Sequence, residues 1–253
     1  MNFAMNPEYP YLYETHCHTK ESSACGVSGA LEMAKAHKDA GYAGMIITNH
    51  NWGGNTCIDI SKSWCDWLDE FFNPYFIAKE WGDRNDFQVF YGYEAGYEGT
   101  EFLIYGLTIE YMKKHPELKT ASIKEQLHIV HEGGGIVIHA HPYREASFIP
   151  EIRLFPDLVD GVEAINAMHS SPYRKSKHYI EEYNDKAIDY AQEHDFTVTA
   201  GSDTHDVNLI GGGTAFRTRL ESIEDFCNRI IKGEGYAITD GSLWLDGKGR
   251  RIK

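Results

Sequence analysis

The sequence has no Cys-x-x-Cys pair, no unbroken apolar run of about 18 residues, and few basic side chains for its acidity. Its five cysteines, Cys17, Cys25, Cys57, Cys65 and Cys227, are odd in number. They are expected as free thiols in a reducing cytoplasm, mostly packed as small hydrophobes. The missing apolar run predicts no membrane span. The opening stretch MNFAMNPEYPYLYETHCHT also lacks the charged and apolar regions of a secretory leader. With 38 acidic against 24 basic residues the net charge is -14. That balance argues against an extended nucleic-acid or membrane footprint, while a local basic pocket or bound cations still accommodate an anion. No G-x-S-x-G elbow and no H-E-x-x-H helix occur, because Glu132 follows the second histidine of the His128–His131 pair. Serine-hydrolase and zincin chemistry are therefore unsupported. The glycine run in GGGTAFRTR precedes no helix start of the Walker type and reads as a turn into a strand.

Strand and helix patterns, in contrast, alternate along all 253 residues, with 42% hydrophobic and 25% charged side chains. YLYETHCHT reads as a first strand, followed by a helix capped at Ser28 and stopped at Gly41. YAGMIITNH is a buried strand. An aromatic helix follows from about Ile60 to Trp81, with a break expected near Pro74. Its apolar spacing predicts a core-facing helix rather than a lid. FQVFYGYEAGYEG is a third strand, with EFLIYGL pairing beside it. The SIKE capping box at Ser122 opens another helix that ends in EGGG. Then come the strands GIVIHAHP and GVEAINAMH, a long helix from about Ser176 to His194, and the strand FTVTAGSDTH. GTAFRTR, the helix SIEDFCNRIIKGE and the strand YAITD close the chain. No repeat or linker interrupts it, so residues 1–253 are expected to form a single α/β domain. Its length favours a barrel of parallel strands with right-handed crossovers.

Histidine is over-used, at 13 residues, and its placement is informative. His16, His18, His50, His139, His141, His169 and His205 all fall at the C-terminal ends of expected strands, with Glu94 and Asp203 in equivalent places. In an α/β barrel those ends converge on the face where active sites are built. His16 and His18, one residue apart in a strand, should point to one side. The other six, His37, His115, His128, His131, His178 and His194, lie in helical patterns and read as solvated. Imidazoles clustered with two carboxylates suit Zn, Mn or Fe, and a carboxylate such as Glu94 can bridge two ions. Two ions roughly 3.5–4 Å apart acidify a water for attack on a phosphoryl or acyl centre.

ETHCHT, IITNH, GYEAG, IHAHP, EAINAMH and GSDTH, in this order, resemble the polymerase and histidinol phosphatase (PHP) family over about residues 12–240. The resemblance implies a distorted TIM-like barrel of seven strand–helix units and a metal-dependent phosphoesterase holding two to three divalent ions. Motif by motif, it implies that His16, His18 and Asp203 hold the first ion and that Glu94 bridges to the second. His141 and His169 complete the second position, and His50 with His205 hold the third. His139 is expected to fill the barrel or support a ligand. Three positions depart from the family pattern: Glu14 and Asn49 replace aspartates, and Ala24, followed by Cys25, stands where some members carry a further histidine. The third ion then has fewer protein ligands. Cys25 is one replacement, though a buried structural thiol is the simpler expectation. Arg144 is the first candidate to take a phosphate, and Arg174 and Lys175 come second. The expected activity is hydrolysis of a small phosphate ester. The alternatives are a TatD- or amidohydrolase-like metal hydrolase and a non-catalytic, metal-stabilised binding module.

Overall fold

The alternating patterns fold into one curled ten-stranded sheet with six helices packed on it, in a computed structural model that describes residues 6–170, 180 and 182–252. The strands are β1 (Tyr11–Cys17), β2 (Gly44–Ile47), β3 (Gln88–Tyr97), β4 (Thr100–Tyr105), β5 (Ile136–His139), β6 (Gly161–Asn166), β7 (Thr197–Gly201), β8 (Gly213–Phe216), β9 (Tyr236–Thr239) and β10 (Trp244–Asp246). The helices are α1 (Ala30–Asp39), α2 (Trp64–Arg84), α3 (Ile109–Lys114), α4 (Ile123–Glu132), α5 (Glu182–Glu193) and α6 (Ile223–Lys232). Strand order across the sheet is β10-β9-β8-β1-β2-β3-β4-β5-β6-β7. The sheet curls until the end of β1 meets the segment after β7. Cys17 bridges Thr204 in parallel, the His18 N–H donates to the Thr204 carbonyl at 2.9 Å, and the Thr204 N–H donates to the His16 carbonyl at 3.2 Å.

The expected series of seven parallel strand–helix units does not describe this sheet. β1, β2, β3, β5, β6 and β7 run parallel, but β4 is antiparallel to both its neighbours, and β8, β9 and β10 add an antiparallel edge. The cause of the first reversal is local. Only Glu98 and Gly99 separate β3 from β4, both at positive φ (50° and 86°), which is the two-residue hairpin geometry. A parallel return needs a crossover of a dozen or more residues. The consequence reaches the open end of the sheet, because the hairpin brings Glu101 beside the strand that carries Glu94.

The helix signals read as expected, with small shifts. Ser122 caps α4 in a reciprocal capping box with Glu125. α1 is capped one residue later than expected, at Gly29, whose N–H is taken by the Glu32 carboxylate at 2.7 Å. α2 runs unbroken through Pro74, contrary to the expected break. Pro74 is buried with Trp67, Leu68, Phe71, Phe72 and Ala78, and packing of that stripe carries the helix across the missing hydrogen bond. The tract is thus a core-facing helix. The core has three parts: one around Leu103, Ile138, Val162, Val198 and Phe216, an aromatic layer joining α2 and α4 to β3–β5, and a third under α1 around Leu12, Met33, Met45 and Phe87. α3 and β10, too short to show a period, were not anticipated.

The aromatic layer is what holds α2 against the sheet. Phe71→Ala should therefore lower stability by about 3–5 kcal/mol, read as a fall in the urea midpoint at unchanged slope.

Candidate metal centre

The first two histidines are brought together by an irregularity rather than by plain alternation. Between Glu14 and Cys17 the register of β1 against β2 shifts by one residue, a bulge that re-aims the strand end. Glu14 secures it from behind: one carboxylate oxygen accepts the His16 N–H at 2.9 Å and the Ser202 N–H at 2.8 Å, tying β1 to the end of β7. Close approach is possible because residue 201 is glycine, since a Cβ there would sit 2.5 Å from the His16 Cβ. The His16 and His18 rings end with centroids 5.0 Å apart.

The other strand ends complete the cluster. His50, just past β2, bridges Glu94 in parallel, and its Nδ1 lies 2.7 Å from a Glu94 oxygen. Glu94 also faces His16 Nε2 at 3.3 Å, His18 Nε2 at 3.5 Å and His141 Nε2 at 3.2 Å. Asp203 lies 3.3 Å from His18 Nε2 and 3.5 Å from His16 Nε2, and its carbonyl accepts the His205 Nδ1–H at 2.8 Å. His141 and Asp203 both sit at positive φ, 26° and 52°. On β5, Ile136 and Ile138 face the inner core while Val137 and His139 face the aromatic layer. A continued strand would send His141 outward with them, and its left-handed backbone turns it back.

The electrostatics of this cluster are those of a site built for cations. Four ligand-type atoms are buried without a hydrogen-bond partner: His16 Nε2, His18 Nε2, His50 Nδ1 and Glu94 Oε2. Orphaned donors and acceptors cost about 1–3 kcal/mol each, and bound ions at the overlapping positions would satisfy them. The donor atoms fall into overlapping sets within 4.8 Å of one another: His16 with His18 and Glu94, His16 with His141 and Asp203, His18 with His50 and His205, and His50 with Glu94 and Glu101. Mixed nitrogen and oxygen sets of this kind fit divalent transition metals. Burial disfavours charge on Glu94 and Asp203, yet the imidazoles, His50 foremost for Glu94 and His16 for Asp203, hold both carboxyls well below the usual range. Burial likewise opposes charge on His16, but Glu163, Asp203 and Glu94 hold its pKa well above the ordinary value. His50 is pushed up to about 11, Glu94 overcoming its burial. His18, buried and flanked by His50 and His205, is driven well below the ordinary value.

Seven of the eight expected ligands thus meet: His16, His18, His50, Glu94, His141, Asp203 and His205. His169 does not join them, and its ring packs edge-on against Tyr183 at 5.2 Å. Arg144 reaches the site but is paired with Glu101, leaving its Nε buried and unpartnered. Arg174, Lys175 and His178 lie outside the described residues. His139 is not barrel filling, for it stacks on Phe102 at 5.1 Å in the outer layer. Asn49 turns from the cluster to hold the loop after β1, accepting the Thr19 N–H at 2.6 Å and the Ser23 hydroxyl at 2.9 Å. Cys25 is not a buried structural thiol. It is part-exposed, and although burial raises its pKa, the nearby His205 and His50 outweigh that and bring it down to about 6. His37, read as solvated, is fully buried against Glu14, with Nε2 3.4 Å from the carboxylate.

Three contributors were missed. Glu101 stands on the β4 face of Leu103 and Tyr105, where alternation places it inward among apolar residues. Glu163 takes His16 Nδ1 at 2.8 Å and the His141 N–H at 3.1 Å, and Asn166 donates to Asp203 at 3.1 Å. A carboxylate inside the otherwise apolar strand GVEAIN was the available signal.

A family model described as PHP-associated matches residues 181–234. No curated protein matches the chain. Among solved structures, a two-domain protein from Bacteroides vulgatus containing a predicted PHP-like metal-dependent phosphoesterase is similar in fold. It is 14% identical with a TM-score of 0.68, over 96% of this chain and 69% of that one. PsfC from Pseudomonas syringae is 15% identical with a TM-score of 0.58, over 94% and 92%. An amidohydrolase from Chromobacterium violaceum, solved with sulfate and no metal, is 14% identical with a TM-score of 0.51, over 78% and 89%.

Glu163 orients His16 from the side opposite its open nitrogen. Glu163→Gln should weaken binding of zinc by about 10–100-fold, measured by competition with a chromophoric chelator. An imidazolium offers no lone pair, and the metal-free site holds His16 and His50 protonated. Ion uptake must therefore release protons, so affinity should rise with pH across the neutral range and weakly buffered solutions should acidify on mixing.

Proposed function

We propose, from the resemblance of the chain to the PHP-domain family, that the cluster is the multinuclear active site of a metal-dependent phosphoesterase acting on a small phosphate ester. The observation that carries this reading is the set of buried, unpartnered nitrogen and oxygen atoms from three strand ends, which His141, Asp203 and His205 join from two more. In this reading His16, His18 and Asp203 would hold a first ion, and Glu94 with His141 would serve a second. His50 and His205 face a third position. Glu101, 3.6 Å from His141 Nε2, takes the place expected for His169 at the second. Bound there, Zn, Mn or Fe would supply Lewis acidity toward a phosphoryl oxygen and lower the pKa of an attacking water.

The chain's own residues supply the rest. Asp203, buried but kept ionised by its imidazoles, accepts the proton of the attacking water. Arg144 offers its unpartnered Nε, and exchanges Glu101 for phosphate oxygens when the substrate arrives. Beside it lies a small cavity of about 10 Å³ lined by Glu101, His141 and Arg144. It opens toward a groove carrying Glu145 and Glu151 with Ile149 and Ile152. Two carboxylates along that approach, with the net charge of -14, disfavour an extended nucleic acid and suit a small neutral or cationic alcohol as the leaving group. Among the described residues no helix is long and apolar enough to cross a membrane.

The test combines elemental analysis with turnover of an aryl phosphate. Wild type should hold two or more ions per chain and hydrolyse the ester, with turnover falling to background in His16→Ala and Asp203→Ala. Arg144→Ala should keep its metal and lose about 10- to 150-fold in kcat/KM, the equivalent of a charge-assisted hydrogen bond of about 1.5–3 kcal/mol. Metal-loaded protein that ignores phosphate esters but cleaves amides would instead make it an amidohydrolase. Inertness toward both would leave a binding module.

A further inference from the structure

Glu14 is fully buried behind the metal centre and belongs to none of the ligand sets described above. One of its carboxylate oxygens spans two strands, accepting the His16 N–H at 2.9 Å and the Ser202 N–H at 2.8 Å. Asp203 follows Ser202 directly. That one oxygen therefore sets the distance between two ligand-bearing stretches of backbone, from β1 and from the end of β7. The contact has little slack. A Cβ at residue 201 would lie 3.1 Å from the same oxygen and 2.5 Å from the His16 Cβ.

The other oxygen has a single partner among the described residues, His37 on α1, whose Nε2 lies 3.4 Å away. His37 is itself fully buried and is held on two further sides. Its Nδ1 is 2.8 Å from the Met33 carbonyl one helical turn back, and its ring meets Tyr42 edge-on at 5.0 Å. Tyr42 in turn donates to the Gly212 carbonyl at 2.7 Å, beside the Ser202 hydroxyl that accepts the Gly212 N–H at 2.9 Å. A carbonyl oxygen carries no proton, so His37 Nδ1 donates to Met33. Nε2 then faces the carboxylate with a proton between them, since two lone pairs would repel at that buried contact. The rest of the buried stripe of α1 is Ala30, Met33 and Ala34. Only a carboxylate in need of a partner favours a buried imidazole there over another apolar side chain.

We propose that His37 is a positioning residue of the metal centre, holding the Glu14 carboxylate so that its other oxygen fixes His16 against Asp203. The inference rests on the metal-centre reading above and adds to it a residue that touches no ion. Without the donor at position 37, one oxygen of a buried carboxylate is left unpartnered. The carboxylate then turns, and the spacing of His16 and Asp203 is no longer held. Affinity for the ion they share falls, though neither ligand has changed.

Amide side chains separate the donor from the bulk of the ring, because a glutamine nitrogen reaches the place of Nε2 and an asparagine nitrogen stops short of it. Zinc affinity of the metal-free full-length protein would be measured by competition with a chromophoric chelator, and the urea midpoint would report stability separately. His37→Asn should weaken zinc binding by about 10-fold, the lower end of the effect of losing a partner that orients a ligand. His37→Gln should bind zinc as wild type does. In a Glu14→Ala background the His37→Asn change should cost no further affinity, since the route runs through Glu14. His37→Phe, which fills the volume without a donor, takes the place of His37→Asn if that variant does not fold, and the same loss is expected of it. Unchanged zinc affinity with a lowered urea midpoint would reduce His37 to packing. An equal loss in His37→Gln, or a loss that persists in Glu14→Ala, would overturn the route through Glu14 and leave the metal centre standing. Failure of wild type to bind zinc at all would overturn the metal-centre reading, and this proposal with it.

Discussion

Glu94 is the side chain on which the open end of the sheet depends. It is almost fully buried, within 3.5 Å of the rings of His16, His18, His50 and His141, which come from three different strand ends. A buried carboxylate is costly unless opposite charge or hydrogen bonds surround it. The fold meets that demand with imidazoles, several of them held from behind: the His16 ring by Glu163, the His18 ring by Ser23 and the His205 ring by the Asp203 carbonyl, while Ser23 also accepts the His50 backbone N–H. The β1 bulge, the glycine at 201 and the β3–β4 hairpin all bring backbone close enough for those contacts.

The arrangement separates two tasks that a single layer of residues could not perform together. The ring nitrogens and carboxylate oxygens facing the centre stay available, while a surrounding shell of Glu14, Glu163 and Asn166 fixes their orientation through backbone and side-chain hydrogen bonds. Preorganisation of this sort keeps a cluster of like-charged and unlike-charged groups from collapsing onto one another.

Much of this was legible in the sequence because strand ends are where α/β sheets gather chemistry. Histidines after apolar runs identified His16, His18, His50, His141 and His205 without any knowledge of distances. The misreadings have physical causes. A two-residue turn reverses β4, so a scheme of parallel units left Glu101 out of the site. Strand parity misplaced His139, because the chain turns left-handed at His141 just beyond it. His37 looked solvated on a helix whose buried stripe includes it, since a histidine that pairs with a buried carboxylate reads as polar until the partner is known. The Cys25 neighbourhood depends on which loop folds over which strand end, and no local pattern encodes that.

The left-handed backbone at His141 and Asp203 has a consequence for how such a chain changes over time. Each non-glycine residue there carries a conformational cost of order 1–3 kcal/mol, and glycine would remove it at once while deleting a side chain from the cluster. Substitutions that most improve the stability of this sheet therefore lie at the positions least able to accept them. Sturdiness and the site therefore make opposing demands at two identifiable residues.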